Sequence, residues 1–195
     1  MPARLLVPQL LGFIALLAAA VQFYTDREHG SKHCKVPLSW RAHRGLLSLY
    51  SLSSLMFCLT GAYILLLCHA YPQRSLYTQQ YVEGLLWIWS GCISYACDAV
   101  DLGVKSWSHP IDRLSATLFI AYNVLAYVAY ARMGALPVAA TIEFPLSLMS
   151  GLFCFKRSGD AVHKGDMEGY FFWHTAWHFV LPITGILHFS LIYFI

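Results

Sequence analysis

Charge is what this chain has least of: only 12% of its 195 residues are Asp, Glu, Lys or Arg. A water-soluble domain carries about twice that share, so a free-standing globular domain is a poor reading. No basic patch with interleaved aromatics occurs, which speaks against a nucleic-acid partner. The six cysteines include no CxxC pair, so neither a zinc knuckle nor a disulfide framework is indicated. Cys58, Cys68, Cys92, Cys97 and Cys154 fall in or beside apolar stretches and read as small buried hydrophobes; Cys34 stands in a loop next to His33. Repeats and low-complexity runs are lacking as well.

What the chain does have is apolar length. Hydrophobic residues make up 58% of it and fall in long blocks, the signature of an integral membrane protein. Six blocks can be drawn, at 5–24, 46–70, 81–101, 112–131, 135–155 and 169–195, each near the roughly 20 residues that a helix needs to cross the hydrocarbon. The first resembles a signal sequence, but it closes on Val21-Gln22-Phe23-Tyr24 with no small-residue cleavage site and is read as a retained helix. Only the connection 25–45 is long. The expectation is one all-α domain over 1–195, an integral membrane bundle of about six transmembrane helices.

The net charge of +3 then becomes a topology signal. If all six blocks cross, ten Lys and Arg border loops one, three and five, between 27–44, 105–113 and 156–164, against Arg4, Arg74 and Arg132 on the other face. That asymmetry puts loops one, three and five on the cytoplasmic or matrix-equivalent side and both termini opposite.

Ionisable residues inside such helices are candidates for function. In Gly169-Tyr170-Phe171-Phe172-Trp173-His174-Thr175-Ala176-Trp177-His178, the two histidines share one helical face, one turn (about 6 Å) apart. The end of the third block and the start of the fourth reach the same face of the bundle. Thus Asp98, Asp101, His109, Asp112, His174 and His178 can meet, and carboxylate with imidazole is the ligand chemistry of zinc, iron or manganese. The plainer reading makes Asp112 and Ser94 capping groups, Asp101 a wetted helix end, and Trp173 and Trp177 interface anchors. Haem needs a second histidine facing His174 or His178 at similar depth, and His69, His163 and His188 do not clearly supply one.

Ser94-Tyr95-Ala96-Cys97-Asp98, Leu102, Asp112 with Ser115-Ala116, and His174-Thr175-Ala176-Trp177-His178 together resemble the membrane core of the CREST superfamily. That superfamily includes the alkaline ceramidases, the adiponectin and progestin receptors, the Per1 proteins and the myomaker-like proteins, the last being nearest. The resemblance implies a zinc ion held by histidines in a helical bundle, flanked by an aspartate and a serine, and hydrolysis of an amide or ester bond in a lipid. His174 and His178 match the paired zinc histidines, Asp112 the acid of the next helix and Asp98 the acid after the cysteine. Tyr95 stands where the third histidine falls, and Gly91, beside Ser90, where the serine falls. Only three blocks follow the third, where the superfamily has five helices.

The functional expectation is therefore zinc held by His174, His178 and Asp98, with Asp112 orienting or deprotonating the water and Ser90 or Ser94 donating to the developing oxyanion. The partners are membrane lipids. The alternative is a non-catalytic subunit of a larger membrane complex. Separately, Glu143 lies in the middle of the fifth block two residues before Pro145, which frees the carbonyl of Thr141. It is expected to face the bundle, protonated or paired.

Overall fold

The computed structural model describes residues 36–37, 45–73, 78–104 and 106–195. The block 5–24, Cys34 and the basic residues of loop one lie outside them. Among the described residues the chain is all-helical: α1 (Leu49–Ser53), α2 (Met56–Ala70), α3 (Thr78–Tyr95) continued by a π turn (Ala96–Val100), α4 (Ser108–Arg132), α5 (Val138–His163) and α6 (Met167–Phe194). Four stretches, Leu49–Ala70, Ser108–Arg132, Val138–His163 and Met167–Phe194, are long and apolar enough to cross a membrane. Helix α3 is not among them, because Gln79, Gln80 and Glu83 lower its hydropathy. It still belongs to the bundle, since Gln80 and Glu83 are buried between helices, where a polar side chain meets protein instead of lipid.

Glycine sets the closest helix contact. A Cβ at Gly61 would strike the Gly84 carbonyl and Ile88, and one at Gly91 would lie 2.9 Å from the Cys58 amide nitrogen and 3.1 Å from the Ser54 carbonyl. Small residues of this kind let helix backbones approach, and here they press the start of α2 onto α3. Helix α2 in turn meets α6 through polar bonds, Thr60 Oγ1 to the Pro182 carbonyl at 3.0 Å and Tyr63 to Ser190 at 2.7 Å. Helix α4 flanks α3, with Trp87 edge-on to Phe119 at 4.7 Å, and α5 flanks α6. Going round the bundle the order is α4, α3, α2, α6, α5, and Tyr127 of α4 closes it by stacking on Phe144 of α5 at 4.4 Å.

Two turns are fixed by local chemistry. Gly134 and Gly165 both have positive φ, at 65° and 75°. After α4, Gly134 N bonds Ala131 O and Ala135 N bonds Tyr130 O; after α5, Gly165 N bonds Val162 O and Asp166 N bonds Ala161 O. These are Schellman caps, and only glycine takes the left-handed position without strain. Asp166 then caps α6 by accepting from Gly169 N at 2.8 Å. The α5–α6 hairpin is thereby closed in three residues, which sets the register of the two histidines that follow.

The boundaries drawn from hydropathy shift most in α5. It runs to His163 instead of 155, because its last turns are polar yet still helical, with Lys156 Nζ 3.0 Å from Asp160 Oδ2 one turn on. Glu143 consequently sits near one end of α5, five residues or about 7.5 Å from its first residue, and not at its centre. The carbonyl freed by Pro145 is satisfied, as Thr141 O accepts from Tyr127 Oη of α4 at 2.9 Å.

Candidate metal centre

Three of the six polar residues expected to meet do so. Asp98 Oδ2 lies 3.2 Å from His174 Nε2 and 3.5 Å from His178 Nε2, and ligand atoms from all three lie within 4.8 Å of one another. All three side chains are at least nine-tenths buried. Helix α6 presents the imidazoles on one face, with ring centroids 4.5 Å apart. Counted along the helix axis they sit about 10 and 16 Å from Met167.

Asp98 reaches them through the π turn. Asp101 N bonds Ala96 O, five residues back, at 2.9 Å, and the widened turn buries three successive residues, Cys97, Asp98 and Ala99. Single π turns of this kind re-aim side chains at functional sites. Tyr95, at the position of the absent histidine, turns away and donates to the Leu46 carbonyl at 3.1 Å. The π turn is held from α4: Cys97 Sγ is 2.8 Å from His109 Nδ1, and His109 Nε2 is 2.7 Å from the Val104 carbonyl.

Hydroxyl groups surround the trio. Asp98 accepts from Tyr50 at 3.2 Å, Ser54 at 3.2 Å and Ser94 at 3.1 Å. Ser94 Oγ is also 3.4 Å from His178 Nε2. The Ser53 hydroxyl gives its one proton to the Tyr50 carbonyl at 2.6 Å. Its oxygen, 3.0 Å from His178 Nδ1, is therefore left to accept from that nitrogen. A neutral imidazole protonated at Nδ1 carries its lone pair on Nε2, the atom that faces Asp98. Two acceptors then oppose each other in a buried site, an arrangement that calls for a cation or a proton between them.

The group could hold a metal ion. Bonds of about 2.0–2.1 Å to a tetrahedral ion put neighbouring ligand atoms roughly 3.3–3.4 Å apart, and the two distances from Asp98, 3.2 and 3.5 Å, lie either side of that value. Ser53 is placed as the outer hydrogen-bond partner that would fix the tautomer of His178. The identity of the ion is not set by these residues, since iron and manganese use the same donors.

The other expected residues lie apart from the trio. Asp101 accepts from Ser106 and Ser108, both at 2.7 Å, and closes the α3–α4 loop; His109 braces the π turn. Both were expected at the cluster, but the loop folds back on them before α4 begins. Asp112, on the second turn of α4, is half-buried. Tyr170 stands 3.3 Å from the Tyr50 hydroxyl. Ser90 is buried one turn before Ser94 and makes no bond to the trio among the described residues. Trp177 is a packing residue against Phe155 and Gly151 instead of an interface anchor. His69 and His163 are exposed and His188 pairs with Glu143, so none faces the trio as a haem ligand would.

Sequence reasoning missed Tyr50, Ser53, Ser54 and Tyr170. The run Ser48-Leu49-Tyr50-Ser51-Leu52-Ser53-Ser54 reads as a helix-capping segment, and Ser48 does cap α1. The density of hydroxyls there, beside an apolar block, was the one available signal. No known protein family, curated protein or solved structure matches the chain.

Proposed function

We propose that the chain is a multi-pass membrane protein that hydrolyses an amide or ester bond of a lipid, with zinc held by Asp98, His174 and His178. The observation that carries the reading is the opposition of Asp98 Oδ2 and His178 Nε2 at 3.5 Å, with Ser53 taking up the Nδ1 proton. Resemblance to the CREST membrane core supports the substrate class. When bound, such an ion supplies Lewis acidity, polarising a carbonyl and acidifying water.

The chain's own residues divide the remaining work. Ser94, which touches both Asp98 and His178, is better placed than Ser90 to turn its hydroxyl proton from Asp98 onto a developing oxyanion. Tyr50 and Tyr170 form a hydroxyl chain leading away from Asp98, able to pass a proton out of the buried trio. Asp112, which the CREST resemblance marks as the acid of the next helix, is the proton acceptor in this reading.

The second reading is a non-catalytic subunit of a larger membrane assembly. It is favoured by the burial of the trio, with Asp98 and His178 each 1% exposed. Elemental analysis of the purified chain, followed by release of fatty acid from ester and amide lipids in mixed micelles, separates the two. Near-stoichiometric metal with metal-dependent release supports the hydrolase. Metal without release, retained in the Ser94→Ala protein, supports a structural centre. Absence of metal from both the parent and the His174→Ala protein removes the zinc reading.

A further inference from the structure

A second polar site lies at the other end of α6. His188 Nδ1 is 2.8 Å from Glu143 Oε2, and Ser147 donates to the other carboxylate oxygen. The two side chains are 10% and 11% exposed. They border a cavity of about 60 Å³ among α3, α4, α5 and α6 that opens on the outside of the bundle. His188 is ten residues beyond His178, about 15 Å along the helix, so this site is separate from the metal centre.

The walls define what fits. Trp87, Phe119, Phe144 and Phe189 line the apolar part, and Phe144 is fixed by stacking on Tyr127 at 4.4 Å. The polar edge holds the Glu143–His188 pair and Asn123, whose amide nitrogen gives one of its two protons to the Phe119 carbonyl at 2.7 Å. No Lys or Arg lines the cavity among the described residues. A phosphate or carboxylate headgroup would therefore find no counter-charge beyond one imidazolium already matched by Glu143. An ammonium would meet a carboxylate already engaged by His188 and Ser147.

A hydroxyl fits both states of the pair. With Nδ1–H donated to Glu143, a neutral His188 offers Nε2 as acceptor to an alcohol proton; a protonated ring offers Nε2–H to the alcohol oxygen. No described residue hydrogen-bonds His188 Nε2. The volume suits a headgroup of a few heavy atoms, with the rest of the molecule lying against aromatic walls and the lipid outside.

We propose that this cavity binds the headgroup of an uncharged lipid alcohol, its hydroxyl on His188 and its apolar body against the four aromatic walls. The proposal rests on the membrane placement of the bundle but not on the metal centre. Two sources share the chemistry, a rigid sterol and a flexible long-chain alcohol.

The test uses the full chain in phosphatidylcholine vesicles, with retention after an alkaline wash showing that it is embedded. A diazirine sterol and a diazirine long-chain alcohol are photo-crosslinked in parallel, and the labelled peptides are mapped by mass spectrometry. Saturable labelling of α5 near Glu143 or α6 near His188 by either probe is expected, competed by the unlabelled alcohol at least tenfold better than by its methyl ether or by a fatty acid. Which probe labels identifies the source. His188→Leu should reduce labelling at least tenfold, and Ile120→Trp, which fills the cavity while leaving the polar pair intact, should do the same. His174→Ala should leave it unchanged. An embedded protein that shows no saturable labelling with either probe, equal competition by the methyl ether, or undiminished labelling in Ile120→Trp overturns the proposal.

Discussion

Ser53 decides how His178 presents itself, although it bonds only the ring's far nitrogen. Its removal frees the imidazole to take either tautomer. Ser53→Ala should weaken metal binding by about 10- to 100-fold, the usual cost of losing an outer-shell partner, as measured by competition with a chelating dye. Ser54, whose hydroxyl is 3.4 Å from the same nitrogen, provides a partial substitute, so the double replacement should be worse than the single. Tyr127 carries a different duty, repairing the backbone gap left by Pro145. Tyr127→Phe leaves the half-buried Thr141 carbonyl without that donor and should cost about 1 kcal/mol, the net worth of a typical hydrogen bond, seen as a lower thermal midpoint with metal content unchanged. At this scale legibility follows chemistry. Imidazoles and carboxylates stand out in an apolar stretch because burying them needs a reason, so His174, His178, Asp98 and Glu143 were visible. Serines and tyrosines are at home in any helix end, so Ser53 and Tyr50 were not.

Helices α2 and α3 locate the acid, and their contact depends on what is missing from it. Gly91→Ala puts a methyl group against the Cys58 backbone and the Ser54 carbonyl. Overpacking of that kind typically costs about 1–3 kcal/mol, and the shift separates Ser54 from Asp98, so metal occupancy should fall together with stability. The π turn makes a contrasting prediction. Because Tyr95 points at the Leu46 carbonyl and away from the trio, Tyr95→His should leave metal affinity unchanged when measured by the same dye competition; a tighter site would show that position 95 can turn inward. The helices themselves were legible because apolar blocks of membrane length leave little else to form. Their ends were less so. Hydropathy stops where Lys156 and Arg157 begin, whereas the backbone continues until Gly165 permits a cap. The π turn had no signature in the residues, since it arises from the fit of Asp98 and Cys97 against α1, α4 and α6.

For the whole molecule, the α4–α5 and α5–α6 turns lie at opposite ends of α5. If α5 crosses the bilayer, cysteines introduced at Met133 and Lys164 should react with a membrane-impermeant maleimide from opposite sides of sealed vesicles, after subtraction of native cysteine labelling. The abundance of Lys and Arg predicts Lys164 on the cytoplasmic or matrix-equivalent side. Reaction of both from one side would contradict the crossing of α5. The order of the helices in the chain bears on biosynthesis too. Asp98 is made 76 residues before His174, so a nascent chain carries a carboxylate ringed by hydroxyls through the synthesis of α4 and α5 with neither imidazole yet present. The centre closes only when α6 docks. A chain truncated before Met167 keeps Asp98, Tyr50 and Ser54 but lacks both imidazoles, and removing one side of a buried polar cluster is strongly destabilising. With a metal ion on the trio as proposed, loading would wait on completed synthesis, and cellular quality control would have a physical defect by which to distinguish an unfinished chain from a finished one.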